Sequence, residues 1–183
     1  MVPTSHMPEV RELDACLAAT GKQDKEAFAR LYTLAAPAVY SYALSILKHP
    51  AEAEDALQDT FLKLRSAAHL YEPQGKPMAW ILTITRNICL MKLRQQRHLY
   101  ALSPEELREE ADFSPIQDLD DRLVLRTALQ TLSDTECQIV VLHAVTGWKH
   151  REIAGMLQLP VSTVLSKYQR GLKKLRTELE GAR

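Results

Sequence analysis

Two stretches of this chain collect side chains suited to handling nucleic acid. Between Pro77 and His98 the order PMAWILTITRNICLMKLRQQRH puts Thr83, Arg86 or Asn87, Arg94 and Arg97 along one side of a helix, with Trp80 near the start of that face. From Arg86 to His98 there are four fixed positive charges and no acid. Cations follow phosphates and flat rings accept unstacked bases, so this is equipment for holding a single strand. The plainer alternative makes Trp80 a core residue and the arginines a solvated face. The second stretch is Lys167–Arg176, in a helix expected from Val161 to Glu180. Ser162, Thr163, Ser166, Lys167 and Arg170 lie on its outward, N-terminal side. A short helix (REIAGML, Arg151 to Leu157) and the tight connection Gln158-Leu159-Pro160 precede it. That order is a helix-turn-helix, whose second helix presents side chains to base edges and phosphates in the major groove. A basic helix that meets only solvent is the alternative.

Other chemistry is poorly represented. Cys16, Cys89 and Cys137 are far apart, with no CxxC and no Cys/His cluster, which argues against a structural zinc site or a disulfide framework and fits a reducing cytosol. Each is expected to fill apolar space. His49, His69, His98, His143 and His150 are scattered without a nucleophile beside them. A thiol hydrolase built on Cys89 or Cys137 is the enzymatic reading, and no catalytic constellation supports it. No metal or cofactor is implied. No run is long and apolar enough to span a membrane, and no signal peptide is visible; the polar opening MVPTSHM is left out of the fold argument.

The chain has 183 residues, 46% hydrophobic and 25% charged, with 23 basic residues balancing 23 acids. Neutrality is awkward for a DNA binder, but the charge is segregated: bases gather in the two stretches above and acids around Glu105–Asp121. Glycine is scarce and no alternating pattern with hairpin turns appears, so the fold class is all-α.

The helices that must position these faces follow from periodicity and caps. Glu9–Thr20 turns Val10, Leu13 and Leu17 one way and stops at Gly21. Asp24 caps a helix with Phe28, Leu31, Tyr32 and Ala35 inward. Pro37 predicts a break or a kink, after which a third helix runs to Lys48 on Tyr40, Ala43, Leu44 and Leu47. Pro50 opens the next helix, with Ala53, Leu57, Phe61 and Leu64 buried and an acidic and amide face of Glu54, Asp55, Gln58 and Asp59 on another side. That face is a solvated surface unless a partner takes it. The loop HLYEPQGKP re-aims the chain, and Pro77 opens the helix of the first stretch, whose inward stripe is Ile81, Ile84 or Thr85, Ile88, and Met91 or Lys92. Leu99–Leu119, with two Ser-Pro pairs and many acids, reads as a linker, with a short helical turn at Pro104–Glu110. A helix follows from Asp120 to Leu132 with Leu123, Leu125 or Arg126, Ala128 and Leu132 periodic. Ser133 and Glu136 then form a capping box for Thr135–Ala144, which buries Ile139, Val140 and Leu142. The last helix turns Val164, Tyr168, Leu172 or Gly171, Leu175 and Leu179 inward. The division is 9–98, a linker at 99–119, and 120–181.

AEDALQDTF, MAWILTITRN and MKLRQQRH, in that order, resemble conserved domain two of the extracytoplasmic function (ECF) group of bacterial RNA polymerase sigma factors. The block from Ala128 to Arg176 resembles their domain four, at Leu132, Glu152-Ile153-Ala154, Leu157, Pro160, Thr163-Val164 and Lys174-Leu175. Departures are Ser162 where many members have glycine, Lys149 where a small capping residue is usual, and Met91 where an aspartate is common. The resemblance implies a cytoplasmic, non-enzymatic transcription initiation factor of the stress-response kind. Its partners would be core RNA polymerase, promoter DNA and an anti-sigma factor. Glu54, Asp55, Gln58 and Asp59 would dock on the polymerase. His69, Tyr71, Lys76, Trp80, Thr83, Asn87, Arg94 and Arg97 would melt and hold the −10 non-template strand. Ser162, Thr163, Ser166, Lys167 and Arg170 would read duplex −35 DNA. The segment between the domains would be a flexible tether. The rivals are a stand-alone helix-turn-helix regulator, which should bind a palindromic duplex tightly without polymerase, and an adaptor that binds polymerase without reading promoters.

Overall fold

The computed structural model describes the backbone of residues 6–73, 75–99 and 127–181; the side chains of residues 6–9, 96–99 and 181 lie outside the description. The expected linker, its helical turn and residues 120–126 therefore lie outside it too. The described elements are helices α1 (His6–Thr20), α2 (Lys25–Leu47), α3 (Pro50–Ala67), a 3-10 turn (Ala68–Leu70), α4 (Pro77–Leu99), α5 (described over residues 127–131), α6 (Asp134–Thr146), α7 (His150–Leu157) and α8 (Val161–Gly181).

Local chemistry accounts for most of the boundaries. The Asp24 carboxylate accepts from the Glu26 and Ala27 N–H groups at 2.9 and 3.0 Å, capping α2. His49 caps α3 with its ring nitrogen, a role the sequence reading missed, and Pro50 takes the first helical position as expected. Gly21 follows α1, but its φ is not left-handed; a Cβ there would sit 2.9 Å from the Ala68 carbonyl oxygen. Close approach of the 3-10 turn, rather than backbone freedom, demands glycine at this point. At Ser133 the N–H donates to Glu136 and the Ser133 side chain takes an N–H in return, the capping box read from the sequence. Gly147, at φ 66°, closes α6 on the His143 carbonyl.

One expected break is absent. Pro37 lies inside α2, which runs unbroken from Lys25 to Leu47. A proline inside a helix removes a hydrogen bond and costs about 3 kcal/mol. Here Ala35, Ala36, Ala38 and Val39 are all buried around it, so packing on both sides keeps the helix continuous through the proline. Every residue from Ala38 to Leu47 is buried, because α2 packs against α1, α3, α4 and α6 together. A helix enclosed on all sides needs no polar face, which explains why a single stripe underdescribed it. Tyr32, expected inward, is exposed at 44% and lies against the Phe61 ring at 4.6 Å.

The stripes of α3 and α6 are as expected: Ala53, Leu57, Phe61 and Leu64, and Ile139, Val140 and Leu142, are all buried. In α4 Ile81 is buried as expected, the open choices resolve to Thr85 over the half-buried Ile84 and to the half-buried Lys92 over the exposed Met91, Ile88 is half-buried, and Leu82 and Cys89 are buried as well. In α8 they resolve to Gly171 rather than Leu172, since a Cβ at Gly171 would meet Val140 Cγ2 at 3.1 Å. The three cysteines are free and buried, and burial pushes the Cys89 thiol up to about 12. The buried residues of α1–α4 and of α5–α8 join in one continuous core.

Candidate nucleic-acid interface

The helix-turn-helix is built around one capping carboxylate, Glu152, and one left-handed residue, Gln158. Glu152 accepts from the Lys149 N–H at 3.0 Å, so the start of α7 is capped by its third residue; the ammonium of Lys149 is no acceptor. Gln158, at φ 55°, ends α7 with its N–H on the Ala154 carbonyl, and Leu159 reaches the same carbonyl at 3.0 Å. Pro160 then launches α8, whose Thr163 and Val164 N–H groups return to the Pro160 carbonyl at 3.0 and 3.1 Å. Val164 and Leu175 pin α8 to the core. That fixes its opposite side: Ser162, Ser166 and Arg170 are exposed, and Thr163 and Lys167 are half-buried. Arg170 donates from Nε to the Ser166 carbonyl at 3.3 Å, which leaves the rest of the guanidinium pointing out. Of the five residues expected on that side, Ser162, Ser166 and Arg170 share the exposed side of α8, and Thr163 and Lys167 flank it half-buried.

Lys174 is different. It falls in the same basic stretch, yet its Nζ donates to Glu136 Oε2 at 2.8 Å, and the Glu136 side chain is only 5% exposed. Burial works against ionisation of Glu136. The Lys174 ammonium and the Ser133 donors outweigh it and hold the carboxyl below its usual range.

The second face belongs to α4 and the loop before it. Thr83, Asn87 and Arg94 are exposed along α4, Lys76 and His69 are exposed in the loop region, and the side chain of Arg97 lies outside the description. Trp80 is half-buried, with the Tyr71 ring 5.0 Å away, and the Tyr71 hydroxyl donates to the Asp14 carboxylate. Two of the expected cations are used at home. Lys92 sits 3.2 Å from Asp59 with its side chain 17% exposed, and Arg86 stands beside the buried Tyr42 hydroxyl. Of the two residues left open on this face, the outward one is Asn87.

The third face lies on α3, where Asp55, Gln58 and Asp59 are exposed and Glu54 is half-buried. Leu62, a turn further on, is 66% exposed and extends it with apolar surface. The pairing of Asp59 with Lys92 ties this face to α4 from behind.

The histidines are not all scattered. His143 and His150 stack at 4.8 Å and 22°, and the Tyr168 ring meets each at 4.7 Å. His143 Nδ1 is 2.7 Å from the Trp148 carbonyl. His150 Nε2 is buried with no hydrogen-bond partner among the described residues, and burial holds its pKa below the ordinary value. The seven-residue spacing of His143 and His150 spans the connection between α6 and α7, which was the available signal.

An all-helical protein with a basic recognition helix and a separate exposed amide and aromatic face is a DNA-handling transcription protein in class. Residues 31–99 match the family Sigma-70 region 2, and residues 122–175 match Sigma-70, region 4. The RNA polymerase sigma factor CarQ of Myxococcus xanthus is 36% identical over 171 residues, spanning 89% of this chain and 97% of CarQ. The ECF RNA polymerase sigma factor SigK of Mycobacterium sp. (strain KMS) is 27% identical over 175 residues, 90% of this chain and 89% of SigK. Among solved structures, the fold is similar to CnrH, determined in complex with the cytosolic domain of CnrY, at a TM-score of 0.61 and 23% identity over 94% of this chain and 99% of CnrH. It is also similar to the sigma factor RpoE of Bartonella quintana, determined with the anti-sigma factor NepR, at a TM-score of 0.63 and 22% identity over 85% of this chain and 98% of RpoE. The chain belongs to the sigma-70 family, in its extracytoplasmic function group, and is an alternative sigma factor that directs promoter-specific transcription with core RNA polymerase.

Proposed function

We propose that the three faces divide the work of initiation. The Glu54, Asp55, Gln58 and Asp59 face of α3 docks on core polymerase, with Leu62 beside it. The loop His69–Lys76 and the outward side of α4 take the −10 non-template strand: Asn87 reads a base or the backbone, Arg94 and Arg97 contact phosphates, and Trp80 with Tyr71 offers ring surface. Extruding a base costs a few kcal/mol, which contacts at the loop must offset. The N-terminal half of α8 reads the −35 duplex through Ser162, Thr163, Ser166, Lys167 and Arg170. The domains that do this are 9–98 and 120–181, with the segment between them a tether. Two contacts on one tether act together only when their span matches the promoter, so polymerase sets the geometry and the free protein binds promoters poorly.

The observation that carries this reading is the outward placement of Ser162, Ser166 and Arg170 immediately after the Gln158–Pro160 turn. The protein acts in the bacterial cytoplasm as a regulator rather than a catalyst, and no helix among the described residues is long and apolar enough to cross a membrane. An anti-sigma partner is proposed from the two structural neighbours, each of which was determined with a binding partner. Reconstituted transcription with core polymerase on a promoter library tests the whole: a defined −35/−10 pair should be selected. Tight binding to a palindromic duplex without polymerase would favour a stand-alone regulator. Transcription untouched by Lys167→Ala with Arg170→Ala would leave only an adaptor.

A further inference from the structure

Helix α1 lies outside residues 31–99, the stretch that matches Sigma-70 region 2, and none of the three faces above includes it. It nevertheless holds the start of the loop assigned to the −10 strand. Gly21, just past the end of α1, lets the 3-10 turn come so close that a Cβ there would sit 2.9 Å from the Ala68 carbonyl oxygen and 3.1 Å from His69 Cα. About two turns back along α1, the Asp14 carboxylate accepts from the Tyr71 hydroxyl. The Tyr71 N–H donates to the Ala68 carbonyl at 3.1 Å, so this residue is tied both at its backbone and at the tip of its ring. The ring then meets Trp80 of α4 at 5.0 Å and 50°. Both rings are half-buried: each packs on the core and keeps part of its surface open.

A phenylalanine could offer Trp80 the same ring; what the Tyr71 hydroxyl adds is a fixed orientation, set from another helix. Orientation matters where a base must stack. A side chain that has to find its rotamer as the strand arrives lowers affinity by about two- to tenfold, the cost of immobilising it. A ring already held in place avoids that loss. We propose that Asp14 is a positioning residue for −10 capture: it fixes the Tyr71 ring against Trp80 before the strand arrives, and the two rings form the surface on which an unpaired base stacks. The proposal rests on the assignment of this loop and α4 to the −10 strand. Asp14 makes no DNA contact of its own. A carboxylate near a phosphate chain repels it, so the effect of Asp14 through Tyr71 and its effect through charge have opposite signs.

The test uses that opposition. Asp14→Ala and Asp14→Asn remove the same charge, but only asparagine keeps an oxygen that accepts from the Tyr71 hydroxyl. Tyr71→Phe keeps the ring and the charge and removes the donor; it changes one atom, so it keeps the test decisive if Asp14→Ala unfolds. The probe is a forked template whose unpaired −10 strand has the sequence selected from the promoter library and carries 2-aminopurine at successive positions. Holoenzyme binds it under conditions where urea unfolding shows each sigma variant fully folded. With the parent, stacking should quench one position. Asp14→Ala and Tyr71→Phe should each bind the fork about two- to tenfold more weakly and lose that quenching, while binding to a −35 duplex without the fork stays at the parent value. Asp14→Asn should keep both the affinity and the quenching. Asp14→Ala with Tyr71→Phe should be no weaker than either alone, because the two changes remove one bond. Parent-like binding and quenching by Asp14→Ala or Tyr71→Phe, an Asp14→Asn as weak as Asp14→Ala, additive losses in the double variant, or a parent that holds the fork with no position quenched would overturn the positioning role and leave the sigma-factor function standing. Failure of the parent holoenzyme to hold the fork at all would overturn the −10 assignment on which that role rests.

Discussion

Lys167, Arg170 and Lys174 lie within two turns of one basic helix, and the structure gives them different work. Arg170 stands exposed on the outward side of α8 and Lys167 lies half-buried at its flank, whereas Lys174 is engaged by a Glu136 carboxylate with 5% side-chain exposure at 2.8 Å. Removing both outward cations should release two phosphate contacts. At about 0.9 per phosphate, the slope of log affinity against log salt should flatten by about 1.8, and affinity at about 0.15 M salt should fall roughly 30-fold if the affinity near 1 M is unchanged. Lys174→Met should leave that slope in place and act on stability instead. Breaking a fully buried pair costs about 3–5 kcal/mol. With the Lys174 side chain 46% exposed and Ser133 still bonded to Glu136, about 1–2 kcal/mol is expected. Anisotropy of the polymerase holoenzyme on a labelled −35 duplex, titrated from about 0.05 to 0.4 M salt, reads the first quantity, and urea unfolding of the free chain reads the second. An unchanged slope in Lys167→Ala/Arg170→Ala, or equal flattening by Lys174→Met, would refute the assignment of outward and internal cations.

Three further outcomes follow from burial and charge. Asp55→Arg with Gln58→Ala, both on the exposed side of α3, should weaken binding to core polymerase at least about tenfold through charge reversal and lost hydrogen bonds while helix content stays constant; wild-type competition for core enzyme would sink the α3 docking face. Gly21→Ala should destabilise by about 1–3 kcal/mol, because its Cβ would lie 2.9 Å from the Ala68 carbonyl oxygen, a backbone atom that must shift; a neutral urea midpoint would show that the turn yields freely. Acid should loosen the C-terminal unit in two stages. His150 is held below its ordinary 6.5 and Glu136 below its ordinary 4.5, so the unfolded chain binds more protons in the window just below each value. Stability is complete above pH 6.5, falls as His150 is protonated, and falls again below pH 4.5. A urea midpoint constant from pH 7 to pH 5 in the parent chain, or no flattening of that segment in His150→Phe, would contradict the first stage.

What the sequence made legible is what local chemistry decides alone. The α3 and α6 stripes, the Asp24 cap and the Ser133–Glu136 box depend on residues within a turn or two of each other, and each is found as read. Pro37 misled because its cost is local and its compensation is not: the helix that contains it packs against four others, and the residues on either side of it are buried. Gly171 and Leu172 are adjacent candidates for one inward position, and only the Val140 methyl group opposite decides between them. His143 and His150 needed the connection between α6 and α7 to bring their rings together. The site residues were legible as types on faces. Which cations are already paired was not, since Lys92 finds Asp59 from another helix and Lys174 finds Glu136 across 38 residues.

That pairing changes the physics expected at the −10 face. Counting charges along the sequence makes α4 an electrostatic clamp, but Lys92 is held by Asp59 and Arg86 stands against the Tyr42 hydroxyl. On the described part of α4 the outward set is Thr83, Asn87 and Arg94, with Lys76 in the loop before it and Trp80 half-buried at its base. Capture of the single strand must then lean on amide and ring contacts more than on phosphates, and its salt dependence should be shallow. Arg94→Ala should remove about 0.7 from the slope, the value for one phosphate of a single strand, whereas Arg86→Ala should remove none. Arg86→Ala should instead deprive a buried hydroxyl of its charged neighbour and lower the urea midpoint, a cost of about 1–3 kcal/mol. Holoenzyme binding to a forked template with an unpaired −10 strand, measured across salt, separates the two. Equal slope losses for Arg86 and Arg94 would mean that Arg86 leaves Tyr42 to meet the strand, and the division of cations drawn from the free chain would not describe the bound one.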